Sequence, residues 1–300
     1  MITLSENFRA LFYSPFYAAC VMGLFAQEGV AIDFRTSADP NRTAAALRAG
    51  HIDVMWGGPL RVMLTHQADP TSDVVCFCDV VARDPFFVIG RTPRPDFRPS
   101  DLTRTRIATV SEVPTPWLCL QDDIRRDGGD PDQVPRVTGQ SMAQNEAALR
   151  NGEVEAVQLF QPHAEALLST GAGHLWYAAA TRGLTAYTTL VTRRSVIAAK
   201  RDELIGMVRA MQRALAWIRT TSGADVQRQL AAYFPDVPAP VFAGAIDRYR
   251  MLEVYGPDPV TRREGFDRLA AAMRSGGALI ADMSFEECVD NSLAEVVVAS

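Results

Sequence analysis

Residues 46–54 read Ala-Leu-Arg-Ala-Gly-His-Ile-Asp-Val, and residues 148–156 read Ala-Leu-Arg-Asn-Gly-Glu-Val-Glu-Ala, an offset of 102 positions. Each segment reads as the end of a helix, a glycine stop and the start of a strand. Glycine just past a helix takes the left-handed conformation that closes it, at no Cβ penalty. An offset this long does not suggest a short-period solenoid. It predicts two lobes of similar construction. The flanks agree: strand 30–35, helix 41–49 and strand 52–56 in one half, strand 135–138, helix 141–151 and strand 155–160 in the other. Strands alternating with helices predict βαβ units and mostly parallel sheets.

Further out, 2–7 and 106–110 read as opening strands, each leading to a proline-started helix that ends near Gly29 or Gly128-Gly129. Segments 73–82, 86–90, 175–178 and 186–192 are strand-like. From Val196 the chain reads as helical, over 200–221, 223–234, 238–251 and 259–275. The chain is therefore expected to leave lobe one, build lobe two and return, with residues 1–85 plus 187–300 in lobe one, 86–186 in lobe two, and a helical C-terminal extension. Tyr233, Phe234, Tyr249 and Tyr255 either pack on lobe one or form a dimer surface, so monomer and dimer both stand.

Composition narrows the function. The 300 residues are 48% hydrophobic and 22% charged, ordinary for a globular chain. No run of about 18 apolar residues predicts a membrane span. A net charge of −5 gives no basic footprint for nucleic acid. Lys200 is the sole lysine, which leaves almost no candidate for Schiff-base chemistry. The five cysteines, Cys20, Cys76, Cys78, Cys119 and Cys288, do not read as a disulfide framework. Met1-Ile2-Thr3-Leu4 runs straight into strand-like sequence without a secretory signal. The expectation is a cytoplasmic protein, or a periplasmic one if this is a processed form.

In open α/β sheets ligands bind beyond the carboxyl ends of the strands. Four such ends can be read: Ser14-Pro15-Phe16-Tyr17, Trp56-Gly57-Gly58-Pro59, Ser111 through Trp117, and Phe160-Gln161-Pro162-His163. Each pairs polar or glycine residues with a proline where a helix should begin. Free N–H groups at helix starts favour an anion, and Phe16, Tyr17, Trp56, Trp117 and Phe160 add flat apolar surface. The set suits a small aromatic or heterocyclic ligand with a carboxylate, sulfonate or phosphate. The candidate ligand-binding residues are thus Ser14, Pro15, Phe16, Tyr17, Trp56, Gly57, Gly58, Pro59, Ser111, Glu112, Thr115, Trp117, Phe160, Gln161 and His163. Arg61 and Arg83 join them as forks for an anion. Core packing is the competing reading for the aromatics, and surface pairing for the arginines.

Candidates for catalysis are few. Glu112 and His163 could form an acid/base pair; ligand recognition or helix-start hydrogen bonding is the alternative. Cys20 and Cys119 lie early in helices, where a thiol pKa can fall, but free cysteine is usually buried. Cys76 and Cys78, two apart on a strand, should face one side, yet lack the further ligands a zinc site needs. No metal site and no cofactor is read.

Ser14-Pro15 ahead of a helix ending Gly23-Leu24-Phe25-Ala26-Gln27-Glu28-Gly29-Val30, then Ala46 through Pro59, the strand pair from Val74 to Ile89, and Leu149 through Pro162 together carry a resemblance. Over about residues 1–220 the chain resembles the type II periplasmic substrate-binding proteins of the nitrate, sulfonate, taurine and thiamine-pyrimidine group. The resemblance implies a two-lobed type II fold with ligand held between the lobes, two crossing strands near 83–90 and 183–190, and a hinge. Asp84, Pro85, Ala186 and Tyr187 then fall at the cleft floor, with Tyr187 on the ligand. It also implies an ABC permease as partner. The enzymes of the thiamine-pyrimidine group carry a lysine and a histidine where this chain has Gly57 and Arg61, and a cysteine-rich run where it has Gly183-Leu184-Thr185-Ala186-Tyr187. A sulfinate-cleaving relative uses a cysteine in the loop after its first strand, and residues 10–17 contain none. The expected function is binding of a small organic anion or heterocycle for ABC import. The alternative is a cytoplasmic enzyme on the same fold, acting on an aromatic acid or pyrimidine-like substrate as a thiamine-pyrimidine synthase, desulfinase or decarboxylase would.

Overall fold

The computed structural model describes residues 1–37 and 39–300. The strands are β1 Ile2–Ser5, β2 Ile32–Arg35, β3 Val54–Gly57, β4 Val74–Val81, β5 Phe87–Gly90, β6 Ile107–Ala108, β7 Arg136–Val137, β8 Ala156–Leu159, β9 His174–Ala178 and β10 Thr188–Arg193. The helices are α1 Ser14–Val21, α2 Leu24–Gln27, α3 Pro40–Arg48, α4 Pro59–Ala68, α5 Thr115–Arg126, α6 Met142–Arg150, α7 His163–Ser169, α8 Arg194–Ala199, α9 Arg201–Thr220, α10 Gly223–Leu230, α11 Ala239–Met251, α12 Arg263–Ser275, α13 Phe285–Cys288 and α14 Ser292–Val298.

Two five-stranded sheets result, ordered β2-β1-β3-β10-β4 and β7-β6-β8-β5-β9. In the first, β1 lies parallel to β2 and β3, and β10 runs antiparallel to β3 and β4. In the second, β6 lies parallel to β7 and β8, and β5 runs antiparallel to β8 and β9. The sheets are therefore mixed, with four strands sharing a direction in each. The reversed strand is the one that has just crossed from the other sheet: β5 follows β4, and β10 follows β9.

The duplicated segments fold alike because they close alike. After α3, His51 N–H donates to Ala46 O at 2.9 Å and Gly50 N–H to Leu47 O at 3.1 Å. After α6, Glu153 N–H donates to Ala148 O and Gly152 N–H to Leu149 O at the same distances. Gly50 and Gly152 take φ of 78° and 75°, which a residue with a Cβ rarely adopts. The acid three positions later also repeats its role. Asp53 and Thr3 exchange two bonds, one to the Asp53 carboxylate at 2.9 Å. Glu155 and Arg106 exchange the same two, with the Glu155 carboxylate also at 2.9 Å. Each acid thus fixes its strand start beside the opening strand of its sheet. Lys200 adds an ion pair to Asp53 at 2.9 Å. Burial raises the Asp53 pKa, but Thr3 N–H and Lys200 outweigh it and leave it lowered.

The C-terminal helices serve both sheets. Tyr249 on α11 donates to Pro85 O at 3.2 Å and accepts from Gln161 N–H at 3.1 Å. Arg248 Nε lies 2.7 Å from Glu165 on α7. α12 packs against α5 of the second sheet. Tyr249 and Tyr255 are fully buried, and Tyr233 and Phe234 pack on Tyr17. Two sequence expectations fail. Segment 223–234 is α10 followed by a 3-10 turn at Ala231–Tyr233. Cys76 and Cys78 do not face one side, because the register slips between Leu190 and Val191, skipping Phe77. They pack in separate core clusters.

Candidate functional site

Between the sheets lies a cavity of about 160 Å³, room for roughly five to fifteen water-sized bodies at the ~10–30 Å³ each takes. Its first-sheet wall comes from the loop after β1 (Asn7, Phe8, Phe12, Tyr13), from Asn41, and from the start of α4 (Gly58, Leu60, Arg61). Phe86 follows one crossing, and Tyr187 and Thr188 follow the other. Val113, Pro114 and Thr115 at the start of α5 close the far side.

The rings of Phe12, Phe86 and Tyr187 form a mutual set, with centroids 5.9 to 6.4 Å apart. Phe8 and Tyr13 extend it, 5.3 Å from each other. α4 and α5 point their first turns inward: the residues preceding them, Gly58 and Pro114, line the cavity, and neither helix start carries a side-chain cap. First-turn N–H groups lack intrahelical partners and carry the positive end of the helix dipole. Two helix starts, one from each sheet, thus meet across one small space.

Arg61 supplies a full charge there. Its Nη1 donates to Asn41 Oδ1 at 2.9 Å, and among the described residues it has no ion pair. Burial lowers its pKa, with Tyr13 and Asp39 pulling the other way. Taking the guanidinium out of water costs free energy that only a nearby negative charge returns.

Of the residues singled out in the sequence, Gly58, Arg61, Thr115 and Tyr187 line this cavity. The others stand elsewhere. Ser14 donates to Leu11 O at 2.6 Å, Pro15 and Phe16 are buried in α1, and Tyr17 donates to Glu6 at 3.0 Å. Trp56 is fully buried, stacked on Phe16 at 4.6 Å, and Gly57 ends β3 beneath it. Pro59 opens α4 from a buried position. Arg83 is paired with Glu253 at 2.6 Å. Ser111 Oγ accepts from Gly139 N–H at 2.8 Å. Trp117 is buried under the Arg136 guanidinium, 3.8 Å from its ring centre. Gln161 Oε1 accepts from Glu165 N–H at 2.8 Å. Phe160 backs the cavity wall, 5.5 Å from Phe12 and 5.3 Å from Phe86. Of the expected floor, Asp84 instead pairs with Arg182 at 2.6 Å, Pro85 holds Tyr249, and Ala186 is buried outside the lining.

The acid/base pair does not assemble. Glu112 accepts from Met142 N–H at 3.0 Å, bracing the start of α6, while His163 meets Glu146 at 2.9 Å. Burial pushes the Cys20 thiol up to about 12 and raises Cys119 as well. Cys20 in fact stands near the C-terminal end of α1, not early in the helix, and burial keeps both thiols protonated.

Sequence reasoning missed Asn7, Phe12, Tyr13 and Phe86. The reading of 2–7 as strand hid Asn7: β1 ends at Ser5, so the strand-end rule applied from Glu6 would have covered Asn7, Phe12 and Tyr13.

The family model described as NMT1/THI5 like matches residues 12–221. A Bacillus subtilis (strain 168) protein carrying the name "Putative binding protein YtlA" is 23% identical over 99% of this chain and 89% of its own length. The solved alkanesulfonate-binding protein SsuA from Xanthomonas axonopodis pv. citri, bound to MOPS, superposes with a TM-score of 0.73 at 17% identity, over 97% of this chain and 98% of that one. The periplasmic nitrate-binding protein NrtA from Synechocystis PCC 6803 gives 0.68 at 12%, over 99% and 88%. The fold is that of the periplasmic binding proteins.

Proposed function

The chain belongs to the NMT1/THI5 like family, and from that premise we propose that it binds a small organic anion with a flat apolar body between its lobes, as the solute-binding component of an ABC importer. Residues 1–85 with 187–300 form one jaw and 86–186 the other, hinged at the crossings. One observation carries the reading: Arg61 is half-buried with no ion pair among the described residues, Asp39 acting on it only from beyond contact, in a cavity faced by two helix starts and walled by aromatic rings. That arrangement destabilises the empty site and rewards an anion. The SsuA and NrtA relatives bind sulfonate and nitrate by name, and both are anions. A permease would be the partner that receives the solute, at the periplasmic face of the membrane.

The test is calorimetry and thermal shift with a panel of aliphatic and aromatic sulfonates, carboxylates and phosphates. A compound at a hundred times its Kd should add about 2.7 kcal/mol of stability, and Arg61→Gln should weaken it at least tenfold. The reading falls if no anion raises Tm, or if Arg61→Gln leaves the affinity unchanged. Recovery of the compound chemically altered would establish an enzyme instead.

A further inference from the structure

The cavity holds two polar atoms that the fold leaves unused. Asn7 lies two residues past β1 and is 3% exposed; Tyr187 directly precedes β10 and is 7% exposed. Both line the cavity. Asn7 Oδ1 and the Tyr187 hydroxyl are buried with no hydrogen-bond partner among the described residues. Buried polar groups are nearly always paired, and one left unpaired loses its hydration without return. Asn7 and Thr188 stand near the Tyr13 hydroxyl, and the Asn7 amide oxygen is the atom left without a partner. An amide oxygen only accepts, and a tyrosine hydroxyl can accept as well as donate.

Arg61 and the helix starts offer only donors to a ligand. A plain inorganic anion or an unsubstituted sulfonate or carboxylate would answer them and leave Asn7 Oδ1 unmet. No described side chain meets it: Arg61 donates to Asn41, and the rest of the lining includes rings, aliphatic side chains, Thr115 and Thr188.

We propose that Asn7 and Tyr187 are specificity residues, selecting among small flat anions those that also carry a hydrogen-bond donor such as a ring amino or hydroxyl group. This rests on the anion-binding reading above and narrows its substrate class. A site built to hydrogen-bond a ligand group rejects the analogue that lacks it far more strongly than an apolar pocket rejects a missing methylene.

The test uses the full chain and matched probes: benzenesulfonate against its 3- and 4-amino and 3- and 4-hydroxy derivatives, and benzoate against 3- and 4-hydroxybenzoate. Calorimetry should show a donor-bearing member binding at least tenfold tighter than its parent. Asn7→Leu should bring that ratio to within about twofold, whatever it does to the parent's own affinity. Tyr187→Phe, which removes only the hydroxyl, provides the same comparison if Asn7→Leu does not fold. Parents that bind as tightly as every derivative, or a ratio that survives both substitutions, overturn the proposal and leave anion binding standing. Failure of every probe to bind overturns both.

Discussion

Asp79 gives the sharpest test of the packing. It sits in β4 opposite Thr189, 3% exposed, its N–H donating to Pro259 O at 2.8 Å and its Oδ1 without a partner. Burial pushes its carboxyl up to about 7; Val80 N–H favours the charged form, Asp258 opposes it, and Arg262, which favours it, is occupied by Asp258. The buried thiols of Cys76 and Cys78 on the same strand stay protonated, their pKa values raised chiefly by burial. Folded Asp79 therefore keeps a proton that the unfolded chain, with an ordinary pKa near 3.8, has released. The folded state is favoured below pH ~4, and that advantage drains away as pH rises from about 4 to 7. A difference of about three pKa units is worth roughly 4 kcal/mol at 1.36 kcal/mol each, and water entry or local relaxation would trim it towards ~2. Asp79→Asn keeps the shape and removes the charge. Urea unfolding of both proteins from pH 5 to 8, followed by circular dichroism, should show the variant roughly 2–4 kcal/mol more stable at pH 8, with the gap narrowing to about 1–2 kcal/mol at pH 5. Other carboxylates titrate in both proteins and cancel in the difference. Parallel curves, or a variant less stable at pH 8, would refute the claim that a buried charge is what this strand carries.

Arg182 joins Asp84 at one crossing to Asp123 on α5; Arg182→Met leaves two buried carboxylates facing each other and should cost about 3–5 kcal/mol in denaturant melts, with Asp84→Asn and Asp123→Asn together restoring part of it. At Gly90 an added Cβ would fall 1.7 Å from the Trp176 ring, so Gly90→Ala should cost at least ~1–3 kcal/mol and shift the tryptophan emission, and pairing it with Trp176→Ala should cost less than the two losses summed. Glu112→Ala removes the acceptor at the start of α6 and should cost about 1 kcal/mol in thermal melts, as a lost helix cap does, without changing the affinity of any anion the protein binds.

The fold was legible because its signals are local and repeated. Alternation of strand and helix, with glycine at positions 50 and 152, is written in consecutive residues, and backbone bonds that need no distant partner enforce it. What the sequence hid is non-local. The slip that separates Cys76 from Cys78 is set by pairing with Leu190 and Val191, more than a hundred residues away. The engagement of α11 with both sheets depends on Tyr249 reaching Pro85 and Gln161, contacts that no periodicity announces. The short α13 and α14 lack a run long enough for a helical period to show.

The candidate site was legible as a place and far less so as a set of residues, for a geometric reason. Side chains in a helix lean back toward its N-terminus, but those past the first position here, Pro15 to Tyr17 in α1 and Trp117 in α5, turn into the core. At α1 and α5 the residues that reach the cavity are those just before or at the helix start, Tyr13, Pro114 and Thr115, whereas α4 adds Leu60, Arg61 and Leu64 along its length to Gly58 before it. The duplication sharpens this. Tyr13 and Thr115 stand 102 positions apart, like the two glycines, and both line the cavity. Gly58 and Phe160 are related by the same offset, and there the symmetry breaks. Gly58 leaves the start of α4 open, so close to the opposite crossing that a Cβ would lie 3.2 Å from Tyr187 O. Phe160 instead fills the matching place with a ring against Phe12 and Phe86. One backbone plan used twice thus yields one open helix start in the first lobe where the second has an aromatic wall. The glycine-to-phenylalanine difference between the repeats puts Gly58 on the cavity beside Arg61 and Phe160 behind the ring wall.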